Sequence, residues 1–176
     1  MDNIIVSKNS VNSIDPYDII DSNISFINLL KEEGFTGEFC HEAETSYYVD
    51  YYNSQVKNGG FSQFVYNSGW NEELNTVIRA GLEKMHAKEH LAFFNQQAIF
   101  VDTYDELELA KFLDSDYFGK NPTRQALNND DFFKITENLV ELNAHWLKTQ
   151  PKLLVLTIEE MFTTAEQLLG KNLKRD

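Results

Sequence analysis

The sequence has little cysteine, proline and glycine, and each shortage narrows what the protein can be. Its 176 residues include one cysteine, Cys40, three prolines and eight glycines. A single cysteine forms no internal disulfide and supplies no thiolate pair for a structural zinc site. No stretch rich in proline, glycine or serine marks a linker. We therefore expect one domain over residues 1–176.

Long apolar runs and nucleotide-binding glycine patterns are also missing. No stretch reaches the roughly 18 consecutive apolar residues of a transmembrane helix, and the N-terminus lacks the basic and apolar regions of a signal peptide. The segment Gly60-Phe61-Ser62-Gln63-Phe64 lacks the second glycine of a nucleophile elbow. The sequence thus predicts a cytoplasmic protein that does not contact membranes, is no enzyme and uses neither a cofactor nor a metal.

Basic residues are scarce beside acidic ones. Lys and Arg number 15 against 28 Asp and Glu, a formal net charge of −13. Phosphates repel such a surface, so direct binding of nucleic acid is disfavoured and basic proteins remain candidate partners. Residues 1–56 hold ten acids against two lysines, and residues 102–118 hold six acids against one lysine. The rest of the chain is balanced, so the surplus lies in two segments.

Hydrophobic spacing of the helical kind dominates the chain. It predicts helices over about 16–33, 40–57, 61–66, 71–84, 87–101, 105–113, 130–150 and 153–169. We therefore expect an all-α fold, a compact bundle of about seven to nine helices. The segment Ile4-Ile5-Val6 is either a short N-terminal strand or part of a frayed stretch over residues 1–12. Leu153–Leu156 suits either a short strand or the start of the last helix.

Several predicted helices carry their carboxylates close together. Residues three or four apart on a helix lie about 5–6 Å from each other, and like charges at that spacing repel. The pairs with this spacing are Asp15/Asp18, Asp18/Asp21, Glu38/Glu42, Asp102/Asp105 and Asp102/Glu106. Such rows can imitate the phosphates of DNA, which carries one charge per roughly 1.7 Å of axis. The alternative is an ordinary solvated face.

Fourteen of the 16 acids of the two segments, all but Asp2 and Asp114, are the candidate protein-binding residues. They are Asp15, Asp18, Asp21, Glu32, Glu33, Glu38, Glu42, Glu44, Asp50, Asp102, Asp105, Glu106, Glu108 and Asp116.

Residues 47–70 combine eight of the 23 aromatic residues with several amides. The pattern suits a core-forming helix–turn–helix whose amides satisfy a turn, and less well a binding cleft that could serve an enzyme. Another pattern, His86-Ala87-Lys88-Glu89-His90, matches an inverted zinc-protease signature. We expect a helix break at Met85-His86, which would keep the two histidines from sharing a face. Cys40 next to His41 is interpreted as a packed thiol.

A family resemblance rests on the stretch from Tyr51 to Asn67. An aromatic helix is followed by Asn-Gly-Gly-Phe at 58–61, by a glutamine two residues later and by an aromatic–Asn pair at 66–67. This stretch resembles the signature of the bacterial DNA-mimic-protein-like family, and Leu113-Asp114-x-x-Tyr117-Phe118 is similar to a second family element. The resemblance covers about residues 20–150. The residues interpreted as its structural motif are Asn58, Gly59, Gly60, Phe61, Gln63, Asn67 and Asp114.

The resemblance implies an all-α fold, homodimers and an acidic surface that engages a DNA-binding transcriptional regulator. The leading hypothesis is therefore a DNA mimic that occupies the DNA-binding surface of another protein. The alternative is an immunity or antitoxin-like protein that neutralises a basic toxin. An enzyme that uses the cleft around Asn58 to Asn67 is a third and weaker hypothesis.

Overall fold

The computed structural model describes residues 1–174, and its contacts divide the chain into two units. The terminal unit consists of Met1–Tyr47 and Val140–Asp176, and the central unit is Tyr48–Leu139. The expectation of a single domain stays a prediction.

Helices make up most of both units. In chain order the elements are β1 (Ile4–Ser7), α1 (Lys8–Val11), α2 (Tyr17–Glu32), α3 (His41–Gly59), α4 (Phe61–Ser68), α5 (Glu72–Lys84), α6 (Lys88–Val101), α7 (Glu106–Leu113), α8 (Pro122–Leu127), a 3₁₀ helix (Asp130–Lys134), α9 (Leu139–Lys148), β2 (Leu153–Leu156) and α10 (Ile158–Leu169). The all-α prediction is confirmed. Within residues 1–174, no helix has the length and apolar character needed to span a membrane.

The terminal unit is built around a short parallel strand pair. β1 pairs with β2, with Ile4 opposite Leu153 and Val6 opposite Val155. All four residues of β1 are buried, as expected for a strand covered on both faces. Ile4 and Val6 belong to one apolar cluster, and Ile5 belongs to a second cluster with Leu30. The N-terminus is therefore a paired strand, and the alternative of fraying over residues 1–12 is wrong.

The core of the central unit is aromatic. Tyr52 and Phe64 are fully buried, and their rings meet edge to face with centroids 5.6 Å apart. Phe94 contacts both rings, at 5.3 Å from Tyr52 and 5.7 Å from Phe64. Such edge-to-face pairs add about 0.5–1.5 kcal/mol each to the gain from burial. The aromatic residues of the 47–70 stretch therefore include a large part of this core.

The predicted long helix over 130–150 is wrong. The structure has the 3₁₀ helix, an irregular segment over 135–138 and then α9. The backbone N–H of Thr136 donates to the Glu89 carboxylate at 2.7 Å, a bond that a continuing helix would not leave available. Phe133 is 64% exposed in this arrangement.

Thr157 begins α10 with a capping box. Its hydroxyl accepts from the backbone N–H of Glu160, whose carboxylate accepts from the backbone N–H of Thr157. We expect Thr157→Ala to lower the free energy of unfolding by about 1 kcal/mol, because one N–H at the helix start loses its acceptor. Urea unfolding followed by circular dichroism measures this.

Thr163→Ala is the control for that variant. Thr163 lies within α10, where its hydroxyl only donates to a carbonyl of the preceding turn, so its loss should change stability by less than about 0.5 kcal/mol. Equal effects of the two variants would contradict the assigned role of the cap.

Candidate protein-binding surface

Three exposed carboxylates follow one side of α2. They belong to Asp18, Asp21 and Glu32. At about 100° and 1.5 Å per residue, Asp18 and Glu32 lie about 40° apart around the helix axis and about 21 Å apart along it. Among residues 1–174, no Lys or Arg forms an ion pair with any of the three. We call these residues the α2 row, and their charges are available to a partner.

A groove lies beside the first half of the α2 row. Its volume is about 480 Å³, and Asp18 and Asp21 face it together with Ile158 and Met161 of α10. The other residues in its wall are Ser7, Asn9, Ser10, Ser13, Ser22 and Ser25. The wall thus combines two carboxylates with small polar groups and contains no basic side chain. A guanidinium or ammonium group of a partner suits this combination.

Two other acids of the terminal unit are neutralised within the unit. Glu33 pairs with Lys171 at 2.6 Å, and Glu42 pairs with Lys152 at 3.3 Å. Both were predicted as binding residues, but each charge already has a basic neighbour. They therefore attract a basic partner less strongly than the α2 row does.

The remaining predicted acids of the terminal unit lie at or before helix starts. Asp15 precedes α2, and its carboxylate accepts from the backbone N–H of Tyr17 at 2.9 Å. The helix begins at Tyr17, so Pro16 is the N-cap residue and not the first helical residue as expected. Glu38 is exposed in the loop before α3, and Glu44 is half-buried in the first turn of α3.

Glu42 also accepts a hydrogen bond from the thiol of Cys40 at 3.0 Å. This bond and the Lys152 ammonium group lower the pKa of Glu42 to about 2, against the opposing effect of burial. Burial, followed by the bond to Glu42, raises the pKa of the Cys40 thiol. Cys40 is 4% exposed, so the interpretation as a packed thiol agrees with its position.

The central unit presents acids where α6 gives way to α7. Asp102 follows the last residue of α6, and the Asp105 carboxylate accepts from the backbone N–H of Glu108 at 2.7 Å to cap α7. Glu106 and Glu108 occupy the first turn of α7, where the helix dipole favours negative charge. All four residues are exposed. We call them the α6–α7 corner.

Two predicted acids of the central unit lie elsewhere. Asp116 is exposed, and its carboxylate accepts from the backbone N–H of Phe118 at 3.1 Å. Asp50 is only 6% exposed, and its carboxylate accepts from the hydroxyl of Ser54 at 3.4 Å. The prediction that Asp50 belongs to a binding surface is therefore wrong, because its position on α3 faces inward.

Only one of the five predicted carboxylate pairs lies within a single helix. Asp18 and Asp21 share α2, whereas Asp15 and Glu38 precede the helices of their partners. Asp102 ends α6 and Asp105 caps α7, so the pairs that involve Asp102 span a turn. Spacing in the sequence identified the acidic regions, but four of the five pairs do not lie within one helix as the spacing predicted.

Several apolar side chains near these acids are exposed, which the sequence does not predict. Leu107, between Glu106 and Glu108 of the α6–α7 corner, is 65% exposed, and Ile99 is 70% exposed near the end of α6. Phe118, two residues after Asp116, is 86% exposed. Apolar groups among charged ones are typical of surfaces that bind proteins. Helical spacing of apolar residues predicts an inward position for both Leu107 and Ile99, so the sequence does not reveal this exposure.

The Asn-Gly-Gly-Phe stretch forms the turn between α3 and α4. Gly60 has φ +80°, and a Cβ there would collide with the side chain of Asn128. The Asn128 carbonyl oxygen accepts from the backbone N–H of Ser62 at 3.0 Å. The Tyr117 hydroxyl donates to the carbonyl of Gly59 at 3.1 Å, so the second motif supports the turn made by the first. Asn128 was not identified from the sequence.

The amides of the motif bond to one another. Asn58 donates to Gln63 at 3.2 Å, and Gln63 donates in turn to Gln55 at 2.9 Å. Asn67 also donates to Gln55, at 2.7 Å. Phe61 of the same motif is fully buried. These contacts favour the interpretation as a structural turn over that of a polar cleft.

Asp114, the remaining motif residue, follows the last residue of α7. Its backbone N–H donates to the carbonyl of Ala110 at 3.0 Å, and its side chain is exposed. Asp114 is thus the C-cap residue of α7, where its backbone N–H and not its carboxylate makes the capping bond. The side chains of Asp105, Asn121 and Asn71 cap helix starts.

The two histidines of the zinc-like pattern lie in different settings. His86 has φ +58° in the break between α5 and α6, and it is exposed. His90 lies within α6 and is 4% exposed. They do not share one helical face. Within residues 1–174, no cluster of three potential metal ligands occurs.

A family model described as DMP19-like protein matches residues 37–150, more than half of the chain. The chain belongs to this family. The match includes the whole central unit, and the α2 row lies before it. It begins later than the expected residue 20. A search of the curated proteins and a search of the solved structures return no match.

Glu42 lies in the DMP19-like region, and its ion pair with Lys152 should make stability depend on pH. The pKa of Glu42 is lower in the folded protein than its ordinary value of 4.5. Its contribution is therefore complete above about pH 4.5 and is lost as the pH falls toward 2. We expect Glu42→Gln to cost about 1 kcal/mol at pH 7 and progressively less below pH 4.5. Urea unfolding at several pH values measures this, with Glu38→Gln as the control.

The turn at Gly60 is the second testable feature of the DMP19-like region. Gly60→Ala should destabilise the protein by about 1–2 kcal/mol more than Gly69→Ala, because a Cβ at Gly60 would collide with Asn128 and the backbone there (φ +80°, ψ 178°) suits only glycine, whereas Gly69 is in the left-handed helical region. Nothing lies within 4 Å of a Cβ at Gly69. Equal losses in urea unfolding would show that the contact with Asn128 does not matter.

Proposed function

We propose that this DMP19-like protein acts as a DNA mimic that binds the DNA-binding surface of a basic protein. Its carboxylates would take the positions of DNA phosphates against the lysines and arginines of that partner. The partner class we favour is a DNA-binding transcriptional regulator. Membership of the family and the concentration of charge support this role.

The α2 row is the observation that carries the proposal. Three exposed carboxylates without ion pairs occupy one side of a rigid helix over about 21 Å. One DNA strand carries a charge per roughly 3.4 Å of axis, and a full turn spans about 34 Å. In length the row therefore covers more than half of a DNA turn. Its three charges are fewer than the phosphates of one strand over the same distance. Hydroxyls of the groove beside it can bind the same basic side chains.

The α6–α7 corner supplies a second acidic surface of a different character. Its four carboxylates stand with the exposed side chain of Leu107, so a partner there meets charge and apolar area together. Charge would steer the encounter, and the apolar contact would stabilise the complex once formed. The phosphates of DNA offer no such apolar contact. This surface would therefore let the DMP19-like protein discriminate its intended partner from other DNA-binding proteins.

The structure reduces the set of acids that we assign to binding. Asp50 is buried, Glu44 is half-buried in the first turn of α3, and Glu33 and Glu42 have lysine partners. The carboxylates that we assign to the partner are Asp15, Asp18, Asp21, Glu32, Glu38, Asp102, Asp105, Glu106, Glu108 and Asp116.

Competition with DNA tests the proposal. The tagged protein is used to capture partners from the native lysate at low and at physiological salt, and duplex DNA is then added. We expect a basic DNA-binding protein that is released by DNA and held less tightly as salt rises. A partner that DNA does not displace would contradict mimicry. Capture of a toxin through a surface other than its nucleic-acid site would favour the immunity alternative.

Neutralising the α2 row should weaken this complex without loss of the fold. For Asp18→Asn/Asp21→Asn we expect a roughly three- to tenfold weaker affinity at low salt, because two exposed charge pairs are lost. The difference should shrink at high salt. Titration calorimetry with the captured partner measures both effects.

The control for that variant is Glu73→Gln/Glu83→Gln. It changes the net charge by the same amount at exposed positions of α5, outside the assigned surfaces. If both double variants bind equally weakly, net charge and not the α2 row determines affinity.

A further inference from the structure

A groove of about 450 Å³ lies in the central unit, where the end of α6 passes the end of α8. Its wall includes, from α6 and the turn after it, Gln96, Ile99, Phe100 and Thr103, and from α8 and the segment after it, Ala126 and Asn129. No lining residue is charged, and more of the wall is apolar than polar. The groove lies within the DMP19-like region and includes no residue of the α2 row.

The apolar side chains of this wall are open to solvent. Ile99 is 70% exposed, Phe100 is 40% exposed, and Ala126 is exposed as well. The Phe100 ring meets the Tyr104 ring edge to face with centroids 5.8 Å apart, which holds Phe100 in position. Large apolar side chains grouped on an exposed surface are typical of sites that bind other molecules.

Hydrogen bonds fix both sides of the groove. At the end of α6, the Thr103 hydroxyl donates to the carbonyl of Phe100 at 2.7 Å. After α8, the Asn129 Oδ1 atom accepts from the backbone N–H of Asp131 at 2.9 Å, and Oδ1 of the neighbouring Asn128 accepts from a backbone N–H of α4 at 3.0 Å. The groove is thus formed by the fold, so a partner loses little free energy in ordering it.

The shape of the groove suits a segment of protein chain better than a small molecule. Small-molecule sites enclose about 70–90% of the surface of their ligand, whereas Ile99 and Phe100 stand exposed on an open wall. A segment that lies along the groove can cover both side chains, and its backbone can hydrogen-bond to the exposed amide of Gln96.

Carboxylates adjoin the wall from both stretches of the chain. Asp102 directly precedes Thr103, Asp130 directly follows Asn129, and both acids are exposed. Among residues 1–174, neither forms an ion pair with Lys or Arg. Such charges attract a basic segment. They repel the phosphates of nucleic acid, and they repel a second copy of this chain, whose net charge is −13.

We propose that this groove binds a segment of a partner protein in which two adjacent large apolar side chains are flanked by lysine or arginine. The apolar side chains would pack on Ile99, Phe100 and Ala126, and the flanking cations would approach Asp102 and Asp130. The groove shares Asp102 with the α6–α7 corner. The proposal does not require that the partner binds DNA, so it goes beyond the DNA-mimic role.

Three peptides of equal length test the chemistry of the site. The probe is acetyl-Gly-Lys-Leu-Phe-Lys-Gly-amide, and it is titrated into the full chain labelled with ¹⁵N. One control peptide has serine in place of leucine and phenylalanine, and the other has glutamate in place of both lysines. We expect the probe to shift the backbone amide resonances of residues 96–103 and 126–130 in a saturable way. Each control should bind at least tenfold more weakly, because it lacks either the apolar contact or the charge attraction.

Two results of this titration would overturn the proposal. The first is the absence of a saturable shift in those two ranges with the probe. The second is equal binding of the probe and either control peptide, since the groove would then not select for the combination of apolar and basic side chains.

Two variants locate the binding in the groove. Ile99→Ser removes apolar contact area, and Ala126→Gln places a longer side chain in the wall, so each should weaken probe binding at least fivefold. The matched controls are Ile14→Ser, at a fully exposed position of the terminal unit, and Ala92→Gln, at an exposed position of α6 outside the groove. Both controls should bind like the parent.

Equal binding by the parent and both groove variants, or equal losses in the groove variants and their controls, would overturn the assignment. If Ile99→Ser fails to fold, as judged by circular dichroism, Ala126→Gln still tests the groove. The DNA-mimic role has a separate test, the release of a captured partner by DNA. The two proposals can therefore fail independently.

Discussion

The placement of a large surplus of carboxylates is the constraint on which the rest of this structure depends. Several of them accept hydrogen bonds from backbone N–H groups at helix starts: Asp105 caps α7, Glu137 caps α6, and Glu160 completes the capping box of α10. Others, such as Glu33 and Glu42, form ion pairs with lysines. Carboxylates at these positions stabilise the helices they adjoin, since the dipole and the free N–H groups favour negative charge there. The exposed acids include the α2 row and the α6–α7 corner.

The same chemistry shapes the central unit in a second way. The bonds that Glu89 and Glu137 exchange across the start of α6 end the helical path after residue 134 and fix the segment that leads to α9. Carboxylates thus serve two purposes in this DMP19-like protein. Some bind backbone N–H groups and fix the local backbone, and the exposed ones are those that the proposed partner would contact.

Local signals in the sequence predicted most of the helices and the strand alternatives. Glycines at positive φ, such as Gly60, mark the ends of helices in sequence and structure alike. Errors arose where long-range contacts decide the backbone. The apolar spacing over 130–150 has a helical period, but Glu89, more than forty residues earlier in the chain, removes Thr136 from a helix. The position of Asp50 could not be predicted either, because which side of α3 faces inward depends on what packs against it.

Composition and order of residues by themselves determined the helical character, the excess of negative charge and its concentration in two segments, since these follow from local spacing and from counting. The tertiary structure alone decided which carboxylates remain exposed. A charge in the sequence carries no information about whether a lysine or a backbone N–H distant along the chain will lie beside it. The same holds for the groove at Ile99 and Phe100, whose wall comes from two separate stretches of the chain. Hydrogen bonding and burial depend on neighbours in space, and folding brings those neighbours together.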